Sequence, residues 1–204
     1  MPAVRPSTPE GVAAAAVALV ESRSGRVRMV VDGAAAAAPE ELAERIVAAL
    51  SPRPAVHVRS DRFWRPAGQR LESGRHDPDA WLDRWLDADA LRREVLDPFP
   101  GSGRLLPEHR DPLTDRSLRA SVVEMAANAV LVVSGSVLLG RGLPFDVAVH
   151  IRLSPEALAR RTPPEQAWTL PALARYGTER SPETYADLVV RADDPRRPAL
   201  VVRA

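Results

Sequence analysis

The stretch Arg26-Val27-Arg28-Met29-Val30-Val31-Asp32-Gly33-Ala34-Ala35-Ala36-Ala37-Ala38-Pro39-Glu40-Glu41 decides how the rest of the chain is read. Its first half is a short apolar run ending at Asp32-Gly33, the pattern of a buried strand closed by turn residues. From Pro39 the period changes. Leu42, Ile46, Val47 and Leu50 recur at helical spacing, and Pro52 ends the segment. Pro54-Ala55-Val56-His57-Val58 reads as a second short strand. Strand, helix, strand in this order is the mark of a parallel βαβ unit.

Outward from that unit the pattern continues. Residues 129–135 form the most strongly apolar strand, and residues 145–153 alternate Val147, Val149 and Ile151 with Ala148, His150 and Arg152. Leu188–Arg191 and Ala199–Val202 read as closing strands, and Pro155–Arg161 as a short helix. Upstream, residues 11–20 are expected to be helical, with Thr8 as N-cap, Pro9 in the first turn and Gly25 as the stop. The middle of the chain mixes Arg, Asp and Trp around one helix at 87–96, and residues 98–117 are Pro- and Gly-rich, as in a loop or flap. The whole is an α/β protein with a mostly parallel sheet covered by helices on both faces. Residues 1–25 form an N-terminal helical segment and 26–204 the domain.

A chain of 204 residues is long enough to bury a full core. Acids and bases nearly cancel, at 27 and 28, which argues against nucleic acid and membrane surfaces as partners. Cysteine is absent, which excludes disulfides, thiolate chemistry and Cys-ligated metals. All 28 basic residues are arginine, so no lysine is available as a Schiff base or phosphate clamp. The apolar stretch at 11–20 is too short to span a bilayer, and no small-residue cleavage site follows it. A cytoplasmic protein is expected.

In an open parallel sheet, ligands bind at the carboxyl ends of the strands. The first such end, from Gly33 to Glu40, has the context of a phosphate-binding loop, G-x-x-x-x-G-K-[ST] between strand and helix. Its chemical letters differ. Ala38 places a Cβ where the backbone would approach phosphate. Pro39 has neither the lysine charge nor an N–H. Glu40 puts a carboxylate where the anion would sit, and like charges about 4 Å apart cost roughly 4 kcal/mol at an effective dielectric near 20. The same residues make an ordinary helix start, with proline in the first turn and Glu40 and Glu41 complementing the dipole. Triphosphate binding in the usual pose is disfavoured.

Four segments carry a family resemblance. Val30-Val31-Asp32-Gly33 is similar to a first strand and loop entry, and Asp61-Arg62-Phe63-Trp64-Arg65-Pro66 to a D-x-F-[YWH]-R motif. Asp87-Ala88-Asp89-Ala90-Leu91 is similar to F-D-H-P-D-A-F, and Tyr185-Ala186-Asp187-Leu188-Val189-Val190 to Y-A-D-[VL]-[IV]-[IV]. In this order and spacing, over residues 26–194, the sequence resembles the uridine kinases, within the phosphoribulokinase–uridine kinase group of P-loop kinases. The resemblance implies a three-layer P-loop kinase fold with a small lid at about 160–175. It also implies Mg-ATP as cofactor and a nucleoside as acceptor of the γ-phosphoryl group.

The resemblance assigns roles residue by residue. Asp61 falls on the catalytic base, Gly33, Ala38, Pro39 and Glu40 on the nucleotide loop, and Arg65, Asp87 and Asp115 on the nucleoside side. Arg160 and Arg161 fall on the lid arginines that clamp phosphate. Departures gather on the phosphate side. Ser134-Gly135-Ser136-Val137 stands for E-G-I-L, losing an acid that helps hold Mg²⁺, and the base-recognition stretch Y-D-F-x-x-H appears as Arg110 to Asp115 without its histidine. No metal site is expected from the four scattered histidines. Trp64, Trp81, Trp85 and Trp168 could stack a base, although packing is the commoner use of such residues. Two readings stay open: a nucleoside phosphotransferase with degraded phosphate-loop chemistry, or a non-catalytic pseudokinase that binds a nucleoside-like small molecule or a protein partner. Assembly as a homo-oligomer is also open, since relatives form dimers and tetramers.

Overall fold

A computed structural model describes residues 3–202. Seven strands form the central sheet: β1 (Ala3–Pro6), β2 (Val27–Gly33), β3 (Ala55–Arg59), β4 (Val130–Gly135), β5 (Val147–Arg152), β6 (Leu188–Arg191) and β7 (Ala199–Val202), ordered β1-β7-β6-β5-β2-β4-β3. The five strands from β6 to β3 are parallel, while β7 and β1 add an antiparallel edge. The expected parallel α/β sheet is therefore present. β1 was not legible as a strand, because proline punctuates it. As an edge strand it tolerates Pro6, whose missing N–H breaks no inner ladder.

Side-chain alternation sends the sheet into two cores. Met29, Val31, Val132 and Val149 pack against Val12, Ala16 and Val20 of helix α1 (Pro9–Glu21) and Leu42 and Ile46 of α2 (Pro39–Ala49). Val30, Val58, Leu131 and Val133 face the middle of the chain, where Phe63, Leu82, Leu91, Leu96 and Phe99 are wholly buried. The α1 start is as expected, with the Thr8 hydroxyl accepting from the Gly11 amide at 3.1 Å. Helices α3 (Pro78–Arg84) and α4 (Ala88–Leu91) follow, and α4 continues through one π-helical turn, Arg92–Leu96. The stretch expected to be a flap begins with a helical turn, Pro98–Ser102, anchored by buried Phe99. A two-residue strand, Arg104–Leu105, then pairs with Val123–Glu124. Residues beyond β5 form α5 (Pro155–Arg161), a 3₁₀ segment (Pro164–Thr169) and α6 (Leu170–Arg175), which extends into the π turn Tyr176–Arg180.

This lid lies against α3. Arg175 reaches Asp79, Asp83 and Glu179, and Arg180 meets Asp83 at 3.1 Å. Register places Asp32 of β2 directly between Gly135 of β4 and His150 of β5 at the carboxyl end of the sheet. Among the described residues, no helix is long and apolar enough to cross a membrane.

Candidate functional site

The loop after β2 is closed on itself. Ala35–Ala37 is a 3₁₀ turn in which the Ala37 amide donates to the Ala34 carbonyl at 2.7 Å and the Ala38 amide to Ala35 at 2.9 Å. Two N–H groups that an open phosphate loop would aim at an anion are thus spent on backbone carbonyls. Ala38 sits in the left-handed region, at φ 53° and ψ 55°, where a side chain costs roughly 1–2 kcal/mol relative to glycine. Pro39 follows as the first residue of α2 and is buried. Gly33 cannot carry a side chain easily, because a Cβ there would lie 3.1 Å from both Cβ and the carbonyl oxygen of Ile151.

Glu40 lines a cavity of about 380 Å³ beside the ends of β3 and β4. Burial raises its pKa above the ordinary value, while its own backbone amide and Arg59 act in the opposite direction. The cavity lining combines the polar residues Glu40, Arg59, Ser60, Asp61 and Ser136 with the indoles of Trp64, Trp81, Trp85 and Trp168. Asp61 is held by a two-point ion pair: Arg59 Nη2 donates to Oδ2 at 2.6 Å and Nε to Oδ1 at 3.2 Å. The pair holds the Arg59 guanidinium above its ordinary pKa.

The strand ends fix this lining. Ser134 is wholly buried, with its hydroxyl 2.8 Å from His57 Nε2, and burial holds His57 below its ordinary pKa. Gly135 is required, because a Cβ there would fall 1.8 Å from Ser60 Oγ and its φ is +150°. Beyond it Val137 adopts φ 57°, a genuine outlier for a β-branched residue. Its neighbours explain how the turn is held: Leu138 N donates to Asp32 Oδ1 at 2.7 Å, and Leu139 N to the Tyr176 hydroxyl at 2.9 Å. Arg141 Nε closes the turn on the Val137 carbonyl at 2.6 Å.

The tryptophans form one aromatic wall. Trp64 and Trp85 meet edge to face at 5.2 Å, and Trp168, from the lid, lies 5.6 Å from Trp85 and 6.4 Å from Trp81. Buried Arg70 braces them from behind, its guanidinium 5.4 Å from the Trp64 ring and 5.1 Å from Trp85. Nothing in the spacing of Trp64, Trp81, Trp85 and Trp168 announces this cluster. The i, i+4 pair on α3 was the only local signal, and the lid supplies the rest.

Of the residues singled out in the sequence, Asp61 and Glu40 line the cavity, and Gly33, Ala38 and Pro39 belong to the β2–α2 connection that contributes Ala35 and Glu40 to it. The others stand elsewhere. The Asp87 carboxylate caps α4, accepting from Ala90 N at 3.0 Å, so it is engaged as a helix cap. Asp115 accepts from Ala67 N through both oxygens and pairs with Arg70 at 3.6 Å, which makes it a support behind the aromatic wall. Arg65 bonds the Trp85 carbonyl through its backbone, and its Nε is buried without a partner. Arg161 donates to the Ala192 carbonyl at 2.7 Å, and Arg160 is exposed at the end of α5. Arg59, Gln166 and the Asp32–His150–Tyr176 cluster were not singled out. Arg59 was missed because an arginine at a strand end has no motif, and the cluster because its members are far apart in the chain.

No protein-family model matches this chain, and no curated protein matches it. Solved structures do. A possible uridine kinase from Bacillus stearothermophilus superposes with a TM-score of 0.69 at 17% identity, covering 86% of this chain and 97% of that one. A proposed fructose transport system kinase from Silicibacter sp. TM1040 gives 0.65 at 21% identity, with coverage of 87% and 95%. The YGR205w protein gives 0.65 at 9% identity, with coverage of 97% and 100%. What the chain shares with these proteins is the architecture: the three-layer α/β fold of the P-loop kinases, with a mostly parallel sheet and a lid.

Proposed function

We propose that this P-loop-kinase fold serves as a binding protein for a nucleoside-like small molecule and has lost ATP-dependent phosphoryl transfer. The observation that carries the reading is the closed loop at Ala34–Ala38, with its amides bonded inward and the Glu40 carboxylate at the mouth of the helix. Phosphoryl transfer is almost entirely positioning and electrostatic stabilisation of phosphate. Here the expected lysine is Pro39, the expected hydroxyl is Glu40, and the acid after the central strand is Ser134, whose hydroxyl is on His57. The donor set does not fit Mg-ATP.

The acceptor side supports the ligand. A flat ring could stack on this aromatic wall, where stacking contributes roughly 1–3 kcal/mol per base. Glu40 and Asp61 in the same lining offer acceptors to sugar hydroxyls. Asp61 would act as a base only if Arg59 released it.

Thermal shift and calorimetry with uridine, cytidine, Mg-ATP and Mg-GTP, each alone, test the reading. A nucleoside is expected to raise the Tm by binding the folded state and to quench tryptophan fluorescence. The triphosphates are expected to do neither. Micromolar affinity for Mg-ATP would overturn the proposal.

A further inference from the structure

We propose that the chain carries a second ligand site, under the lid, where His150 with Asp32 behind it receives the hydroxyl group of a small and otherwise apolar molecule. A cavity of about 700 Å³ lies between the end of β5, α5 and the lid, walled largely by Ile151, Leu153, Leu158, Leu170 and Leu173. His150 lines it and is 8% exposed. Leu173 is the one residue shared with the tryptophan-lined cavity, so the second site stands independently of the reading given for the first.

The hydrogen-bond inventory fixes what His150 offers. The Asp32 carboxylate is wholly buried and meets three groups: Leu138 N at 2.7 Å, the Tyr176 hydroxyl at 3.0 Å and His150 Nδ1 at 2.7 Å. Leu139 N already donates to the Tyr176 oxygen, so the single tyrosine proton goes to Asp32. A carboxylate accepting from all three places a proton on Nδ1, and in the neutral imidazole Nε2 is then the acceptor. No described residue bonds Nε2, which lies on the side of the ring away from Asp32. With Nδ1 committed to Asp32, Nε2 is the ring nitrogen left to meet a group entering the cavity, where a ligand hydroxyl would replace water.

The walls select the donor. Charged groups are expelled from aliphatic surroundings unless paired, and the negative charge of Asp32 behind the ring adds repulsion for an anion. The Arg152–Glu183 ion pair, at 3.2 Å, contributes both its charges at the rim. A hydroxyl group is the compact neutral donor that satisfies Nε2 while the rest of the molecule covers leucine.

The test uses 4-ethylphenol as probe and 4-ethylanisole, of similar shape but without the O–H, as control. Side-chain ¹⁵N shifts of the histidines in the labelled full chain provide the readout. The phenol is expected to move His150 Nε2 at sub-millimolar concentration, with the anisole binding at least roughly tenfold weaker, about 1.4 kcal/mol. Ala174→Phe, on an exposed wall position outside the Asp32 cluster, is expected to abolish the response while leaving His150 Nδ1 unshifted; Ala159→Phe on α5 serves if that variant does not fold. The proposal is overturned by a silent His150 through the millimolar range, by equal binding of the anisole, or by an undiminished response in a folded blocking variant.

Discussion

Tyr176→Phe removes one oxygen and nothing else from the buried cluster. That oxygen lies 2.9 Å from Leu139 N and 3.0 Å from Asp32 Oδ2, within a residue only 4% exposed. The phenyl ring remains, so no large cavity term arises. The first loss is the partner of a buried amide, which costs about 1–3 kcal/mol when left unmade. The second is one of three donors to a buried carboxylate, a charge-assisted bond contributing about 1.5–3 kcal/mol. Both run through one hydroxyl, so they are not fully additive, and about 3 kcal/mol is the expected destabilisation. For a chain of this size that lowers Tm by about 6–12 °C. Urea unfolding followed by circular dichroism and tryptophan fluorescence measures it, with the m-value expected to stay constant. Because Leu138 and Leu139 hold the strained turn at Val137, which lines the same cavity, the Trp85 and Trp168 environment should change in the folded variant. A loss below about 0.5 kcal/mol at unchanged m would refute the claim that this hydroxyl holds the turn.

Other expectations follow from the same geometry. Ala38→Gly, Pro39→Lys and Glu40→Thr together restore the letters of a phosphate loop, and calorimetry should then detect Mg-ATP where none is expected for the wild type. A folded triple variant that ignores ATP would place the fault at Ser134 or the lid. Glu40 has its pKa raised by burial, so the folded state favours the protonated form, and its contribution to stability declines as pH climbs through 4.5. Glu40→Gln should therefore match wild type near pH 4 and gain on it toward neutrality in urea titrations. For His57 the sign is opposite. Burial lowers its pKa, so stability is lost as pH falls through 6.5, and His57→Gln should flatten that part of the profile. Arg175→Ala removes the contacts from α6 to Asp79 and Asp83, and hydrogen exchange should show faster opening of residues 164–180 with little change in the sheet.

The sheet was legible because its strands are short, apolar and bounded by Gly, Pro and Asp, and because a parallel order demands helices between them. The loop after β2 was legible letter by letter, since Ala38, Pro39 and Glu40 each have a definite meaning at that place. What could not be read depends on register and on the lid. Asp32 looked like an ordinary turn residue until β2 was laid between β4 and β5, which brings Gly135 and His150 beside it. Tyr176 reaches that cluster from a helix 144 residues away in the chain. Asp87, given a nucleoside-side role by the resemblance of residues 87–91, also has a local use: Asp before an apolar turn is an ordinary N-cap, and its Oδ1 accepts from Ala90 N.

The arginines bear on the proposed loss of phosphate chemistry more directly than the missing lysine does. Many of them are committed to backbone carbonyls: Arg26 to Met125 and Ala126, Arg53 to Gly25 and Asn128, Arg161 to Ala192. Among the described residues lining the tryptophan cavity, Arg59 is the cation, and both of its side-chain hydrogen bonds go to Asp61. A phosphate arriving there would have to take Arg59 from Asp61, leaving a carboxylate unpaired next to an anion and close to Glu40. The gain of one ion pair would be offset by the loss of another and by two like-charge contacts. Replacing Asp61 with Asn should therefore increase affinity for inorganic phosphate or pyrophosphate, the reverse of what removing a catalytic base alone would do. Equilibrium dialysis decides it, and weaker anion binding by Asp61→Asn than by wild type would show that the Arg59–Asp61 pair is not what closes the site to phosphate.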